Sequence, residues 1–561
     1  MRYLCALCML FGCALSAVAL DREAFTFTNY DLKVRIEPEQ ERLGVRGKIT
    51  LRNDSSAPQK NLALQISSTL TWRSIQIDGK AVQFETHEYN SDIDHTGALS
   101  EAIVALPGPI APGGTIELEI GYEGTIPLDT TRLTRIGVPA SKAKTIDWDR
   151  ISPSFSAVRG MGYVTWYPVA AEAANLSDGN AVADTVGRWI ARQAETKMQL
   201  SFESTSEAPI YFSGSNVGVE GAGDSSTGAR FHLDQLGVSV PAFVSASYLT
   251  LPRKNSVEVG YFAGEEENAK DFADVAGQIS PAVTLPGGVR ELKVLGLPEK
   301  DDAPYVTQGM FLFPLGNEVT NQAELDMVYA IARQEAPSRR AWIQEGLARF
   351  AQAEFIEDHS GLQAALDYLQ SHMRALTDSA KDSAKDDTAR ALINAPDDLY
   401  LQAKSMFVWW MLKDMLGKLP QDALLRYRSV DDKDASYMPR LLTAGRKRDL
   451  EWFFNDWLYH DRGLPDFRIT SVYPRALDNG RYLVTITIEN TGRAGAEVPV
   501  VLTVEGGEVR QRAEVRAQSK LSLRIEASSK PLQVVVNDGS VPESDMSNNT
   551  YKIDSFEPQK R

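Results

Sequence analysis

All three cysteines of this 561-residue chain, Cys5, Cys8 and Cys13, lie within its first thirteen residues. The rest of the sequence therefore has no disulfide, no thiolate nucleophile and no Cys-type metal site. Histidine is nearly as scarce: six in all, and none between His232 and His359. Basic residues are outnumbered, with 59 Lys and Arg against 75 Asp and Glu and a net charge of -16. Without a cationic excess to displace counterions from phosphates, nucleic acid is excluded as a partner. There is no G-x-S-x-G elbow and no G-x-x-x-x-G-K-[ST] loop, which removes the warrant for α/β-type serine hydrolases and P-loop enzymes. A mean hydropathy of -0.26 argues against a polytopic membrane protein.

Residues 1–19 read as a signal peptide. Arg2 supplies a minimal positive start, residues 3–18 are apolar or small, and Ala17-Val18-Ala19 is an A-x-A cleavage site before Asp21-Arg22-Glu23. That apolar run is too short to favour a membrane span. Leu10-Phe11-Gly12-Cys13 offers a second reading, a bacterial lipobox with a lipid anchor at Cys13. Either way the expected location is outside the cytoplasm: bacterial periplasm or extracellular space, membrane-anchored if Cys13 is lipidated.

A length of 561 residues and 43% hydrophobic content allow several domains with their own cores. Residues 24–205 are rich in two-residue alternation, as in Tyr30-Asp31-Leu32-Lys33-Val34-Arg35-Ile36, and Asp78-Gly79 marks a hairpin turn. A β-sandwich is expected there. Residues 206–320 mix strands with a helix near 265–278. Residues 321–463 are mainly helical, and Met406-Phe407-Val408-Trp409-Trp410-Met411-Leu412, apolar all round, predicts a buried helix. Alternation returns at Tyr482-Leu483-Val484-Thr485-Ile486-Thr487-Ile488, so residues 466–556 read as a second sandwich. The polar repeat at residues 378–385 reads as a surface excursion.

Four segments, in order, carry a family resemblance: Thr165-Trp166-Tyr167-Pro168, Pro241-Ala242-Phe243-Val244-Ser245-Ala246, Trp342-Ile343-Gln344-Glu345-Gly346-Leu347-Ala348-Arg349-Phe350, and Asp449-Leu450-Glu451-Trp452-Phe453-Phe454-Asn455-Asp456-Trp457-Leu458. Residues 25–465 thereby resemble the aminopeptidase N (membrane alanine aminopeptidase) branch of the gluzincin metallopeptidases. The tail, with Glu543 followed by Asn548-Asn549, resembles the closing strand of bacterial adhesion-type Ig-like domains. The resemblance implies a multidomain α+β fold. Its parts are an N-terminal β-sandwich (24–205), a thermolysin-like α/β plus helical catalytic-type domain (206–465), and a C-terminal Ig-like β-sandwich (466–556).

The family's chemistry needs H-E-x-x-H, because residues i and i+4 share a helical face and grip one Zn²⁺ while the Glu acts as base. The resemblance implies that Glu345 is the third ligand. On the preceding helix the two His positions fall at Tyr329 and Arg333 and the base at Ala330. A guanidinium cannot deprotonate and its charge repels Zn²⁺. The family's transition-state Tyr falls at Gln402, with Tyr400 two residues away, and its substrate-binding strand is represented by Gln308-Gly309-Met310-Phe311-Leu312, without the amine-binding Glu. These losses together predict no intact catalytic residue and no bound metal or other cofactor. What is left is a pseudopeptidase that binds peptide or protein in the old cleft. Two alternatives stand: an active metallopeptidase with atypical zinc ligands, and a structural or adhesive envelope protein acting through its Ig-like domain. Other features have plainer readings. Glu345 is expected to pair with Arg349 or with Arg333. Asp92-Ile93-Asp94-His95 reads as a polar turn, His460-Asp461 as a helix-end contact, and Glu543 with Asp545 as a turn before the last strand rather than a Ca²⁺ site.

Overall fold

A computed structural model describes residues 20–553, apart from 219–226, 239, 284–290, 336, 381–390, 396–397, 418, 420 and 478–479. Residues 1–19, which hold the three cysteines and the expected signal peptide, and most of the polar repeat lie outside the described residues. Among the described residues no helix is long and apolar enough to cross a membrane.

The alternating N-terminal segments pair as expected. Phe25–Glu37 and Arg42–Asn53 run antiparallel at the centre of an eight-stranded sheet, with Leu32, Val34 and Ile36 facing inward and Asp31, Lys33 and Arg35 outward. A three-stranded sheet of Gln59–Ser67, Ala98–Ile110 and Phe84–Asn90 covers the apolar side, and one core lies between them. Asp78 and Gly79 both have positive φ, 53° and 70°, which is the type I′ turn that a D-G hairpin requires. The large sheet runs past residue 205: Thr227–Leu233 pairs with Lys197–Ser204, and Ser215–Gly218 pairs with Thr227–Leu233 in turn. A boundary at 205 would therefore cut the sheet.

A five-stranded sheet comes next. Its parallel core is Val257–Tyr261, Leu292–Gly296 and Met310–Phe313, with Leu249–Thr250 and Tyr305–Thr307 antiparallel at the two edges. Three helices carry the candidate site: Asn321–Glu335, Ala341–Ser360 and Leu399–Leu416. The last is buried on almost every side, as its unbroken apolar run requires, and Asp398 caps it by accepting from the Leu401 N–H at 2.7 Å. It lies close against Ala341–Ser360. A Cβ added to Gly346 would stand 2.7 Å from the Trp409 ring, and Trp342 stacks on Trp409 at 5.3 Å.

The final strands form a three-stranded and a four-stranded sheet whose apolar interior is continuous with that of the helices. Polar contacts reinforce the junction. Trp457 Nε1 donates to the Gly495 carbonyl at 2.7 Å, and Arg512 meets Asp414 at 2.9 Å.

Candidate functional site

Tyr329 and Arg333 stand one turn apart on Asn321–Glu335, so their side chains leave the helix on one face. Glu345 lies in the first turns of Ala341–Ser360 and points at both. Arg333 Nε donates to Glu345 Oε1 at 2.7 Å, and the Tyr329 hydroxyl donates to Glu345 Oε2. The carboxylate is almost fully buried, at 2% exposure, while Arg333 keeps 18%. Arg333 also donates through Nη1 to the Val306 carbonyl at 3.0 Å, tying the helix to the edge strand Tyr305–Thr307.

The next residue fixes the hairpin beside that strand. The Gln334 carboxamide accepts from Gly309 N–H at 2.7 Å and donates to the Thr307 carbonyl at 3.2 Å. Met310–Phe313, the strand matched to the family's substrate-binding segment, is paired on both sides, so no peptide backbone can add to it. The open edge belongs to Tyr305–Thr307, and Arg333 already takes its central carbonyl. Burial pushes the Tyr305 hydroxyl well above its ordinary range, with the Arg333 charge pulling the other way.

Gln402 joins the group through Arg349, whose Nη2 donates to Gln402 Oε1 at 2.8 Å and whose guanidinium lies 5.2 Å from the centre of the Tyr329 ring. Of the two pairings expected for Glu345, the structure places it with Arg333. Ala330 is fully buried. Tyr400 faces away from the group: residues two apart on a helix point to opposite sides, and its hydroxyl donates to Asp461 at 2.8 Å. Asp461 also accepts from Lys404 Nζ at 2.7 Å, and both residues are buried. His460-Asp461 does lie at a helix end, directly after Asn455–Tyr459, and Asp461 also enters an internal ion pair with a residue 57 positions earlier.

Two other expected turns are also more deeply buried than their polarity implied. Asp92, Asp94 and His95 are fully buried. Asp94 accepts from Thr165 N–H at 2.7 Å and Ser67 at 3.1 Å, and Arg135 pairs with Asp92. Glu543 closes the terminal sandwich by accepting from Phe467 N–H at 2.5 Å and from Asn537 and Asn549, each at 2.7 Å. Asp545 is exposed. The Val306 carbonyl and the Lys404–Asp461 pair had no sequence signal, since one is a backbone atom and the other joins distant residues.

No family model and no curated protein matches the chain. Among solved structures it is similar to Legionella pneumophila aminopeptidase A, determined in complex with aspartic acid. The TM-score is 0.58 and the identity 12%, over 93% of this chain and 59% of that one. The fold is thus peptidase-like, a mixed α+β arrangement of several sheets and a helical region. The chain spans 59% of the length of that aminopeptidase.

Proposed function

We propose that this protein is a non-catalytic, exported relative of the aminopeptidases that binds a peptide or protein partner. One observation carries the loss of catalysis. Positions 329, 333 and 345 converge as two residues on one helical face and a third on the next helix, the layout a zinc ligand triad needs. The side chains there do not fit the ion. Arg333 brings a permanent charge, and each carboxylate oxygen of Glu345 already accepts a hydrogen bond from its neighbours. The partner-binding half of the reading rests on the peptidase-like fold alone.

Metal content and hydrolysis test it. The purified chain is expected to hold no zinc and to cleave no aminoacyl arylamide with Zn²⁺ added. One zinc per chain, with hydrolysis abolished by Glu345→Ala, would restore the active-metallopeptidase reading. The ligand positions have a separate test. Tyr329→His with Arg333→His places two imidazoles beside Glu345, and stoichiometric zinc measured by mass spectrometry is expected. A folded double variant that binds none would show that these are not the former ligand positions.

The adhesive reading, by contrast, wants a terminal sandwich that acts by itself. Its core is continuous with that of the helices, which favours a structural part over a separate module.

A further inference from the structure

The eight-stranded sheet turns the face that carries Asp31, Lys33 and Arg35 to solvent. Residues directly opposite one another on neighbouring strands share a face. One row across this face runs Ser201, Lys33, Arg46, Gly121, Ser74, over five strands from Lys197–Ser204 to Leu70–Ile77. In the rows beside it cations meet acids. Arg35 pairs with Glu37 at 2.7 Å, Lys48 with Glu117 at 2.7 Å, and Arg42 and Arg73 share Glu123. The middle row holds no acid. Lys33 and Arg46 stand opposite each other, an arrangement that costs stability, and neither pairs with a carboxylate among the described residues. A local cost that nothing in the fold offsets points to a ligand.

Lys33, Arg46 and Ser74 all line one pocket of about 390 Å³. Gly121 keeps the space between Arg46 and Ser74 open. A Cβ added there would stand 2.8 Å from Ser74 Oγ, so the serine hydroxyl leans over the glycine on the side of Arg46. That hydroxyl has no partner among the described residues. The two carboxylates of the lining, Asp31 and Glu119, belong to the next row and flank Lys48. The lining thus carries three cations, Lys33, Arg46 and Lys48, to two acids, in a chain of net charge -16. Two unpaired cations and a hydroxyl offer three separate donors to one space. A carboxylate brings two oxygens and one charge; a phosphate monoester brings three strong acceptor oxygens and close to two charges. The volume lies within the range of about 300–1,000 Å³ usual for small-molecule sites, so more than a bare ion fits. Among the described lining residues none is aromatic, which leaves no platform for a base. We propose that this row binds the phosphate group of a phosphomonoester. The pocket shares no residue with the Glu345 group, so the proposal is independent of the non-catalytic reading.

Two probes test the whole chain at low, fixed ionic strength. Glycerol 3-phosphate, followed by isothermal titration, stands for a soluble source of the group. Phosphatidylcholine vesicles carrying phosphatidic acid, followed by sedimentation, stand for a lipid source. Saturable binding to at least one is expected, and the one that binds names the source. Acetate should bind about tenfold weaker or worse. Lys33→Gln and Arg46→Gln should each weaken the bound probe about tenfold. Arg35→Gln removes the same charge one row away, where it is already paired, and should change the affinity by less than about twofold. Without ligand, the two row variants should unfold at no lower urea concentration than the unmodified chain, because each relieves a like-charge contact. Binding to neither probe, acetate bound as tightly as phosphate, or equal losses in Lys33→Gln and Arg35→Gln would overturn the proposal. So would a row variant that unfolds more easily, since the pair would then serve the fold.

Discussion

At Glu345 a helix offers a tyrosine and, one turn later, an arginine; at Asp461 another helix offers a tyrosine and, one turn later, a lysine. Tyr329 and Arg333 grip the first carboxylate, and Tyr400 and Lys404 the second. The two clamps share one recipe, a hydroxyl and a cation at i and i+4 facing an acid from another segment. They differ in dryness and reach. Lys404 is wholly buried, whereas Arg333 keeps an exposed flank and also bonds the Val306 carbonyl. The Asp461 clamp shows what such a cation does. Burial alone would lift the Asp461 carboxyl, but the charge and hydrogen bond of Lys404, together with the bonds from the Tyr400 hydroxyl and the Gly463 N–H, outweigh it and hold the group below its ordinary range. A centre with the same recipe at Glu345 is built as a brace between segments, and this supports the non-catalytic reading proposed for it.

The largest way to break the pairing is Lys404→Met. It strands Asp461 in a dry interior, and loss of one partner from a buried ion pair costs about 3–5 kcal/mol. Urea unfolding should show the drop, and Lys404→Met with Asp461→Leu should recover most of it, because the stranded charge is gone. A double variant no better than the single would mean that the lysine acts through packing. Arg333→Met should cost less, about 1–3 kcal/mol, since water reaches that flank and Tyr329 still bonds the carboxylate. Equal losses at the two clamps would erase the distinction drawn from burial.

The difference between the clamps also marks the limit of what sequence can tell. Periodicity located the strands around Tyr30, Ile75 and Val484 and the buried helix through Trp409, because burial of one face imposes its own spacing on the chain. The positions Tyr329, Arg333, Glu345 and Gln402 were legible because a motif fixes their separations along two helices and a third. Neither signal reaches Lys404 and Asp461, which touch only because two segments 57 residues apart fold together. The turns read at Asp92-Ile93-Asp94-His95 and before the last strand are there, but the burial of their carboxylates was not legible: Asp92, Asp94 and Glu543 are buried and satisfied by donors from distant strands or loops. The sheet edge at Tyr305–Thr307 escaped for a related reason: which strand is outermost depends on topology, and the alternation of residues along a strand carries no record of it.

Glu543 sharpens the comparison because it is a buried carboxylate given neutral donors and no cation. Burial lifts it from 4.5 to about 7, with Asn537, Asn549 and the Phe467 N–H acting against the shift. Linkage sets the sign. The folded chain holds this proton more tightly than the unfolded chain, so the stabilisation is complete below pH 4.5, declines as pH rises to about 7, and is absent above. Glu543→Gln has no proton to lose. The unfolding free energy of the unmodified chain, measured relative to that variant, should therefore be higher at pH 5 than at pH 8, by on the order of 1–3 kcal/mol. Taking the difference between the two proteins cancels every other titrating group. An unchanged difference across that interval would mean that three uncharged donors suffice to keep a buried carboxylate ionised. A cation would then be dispensable at Asp461 as well.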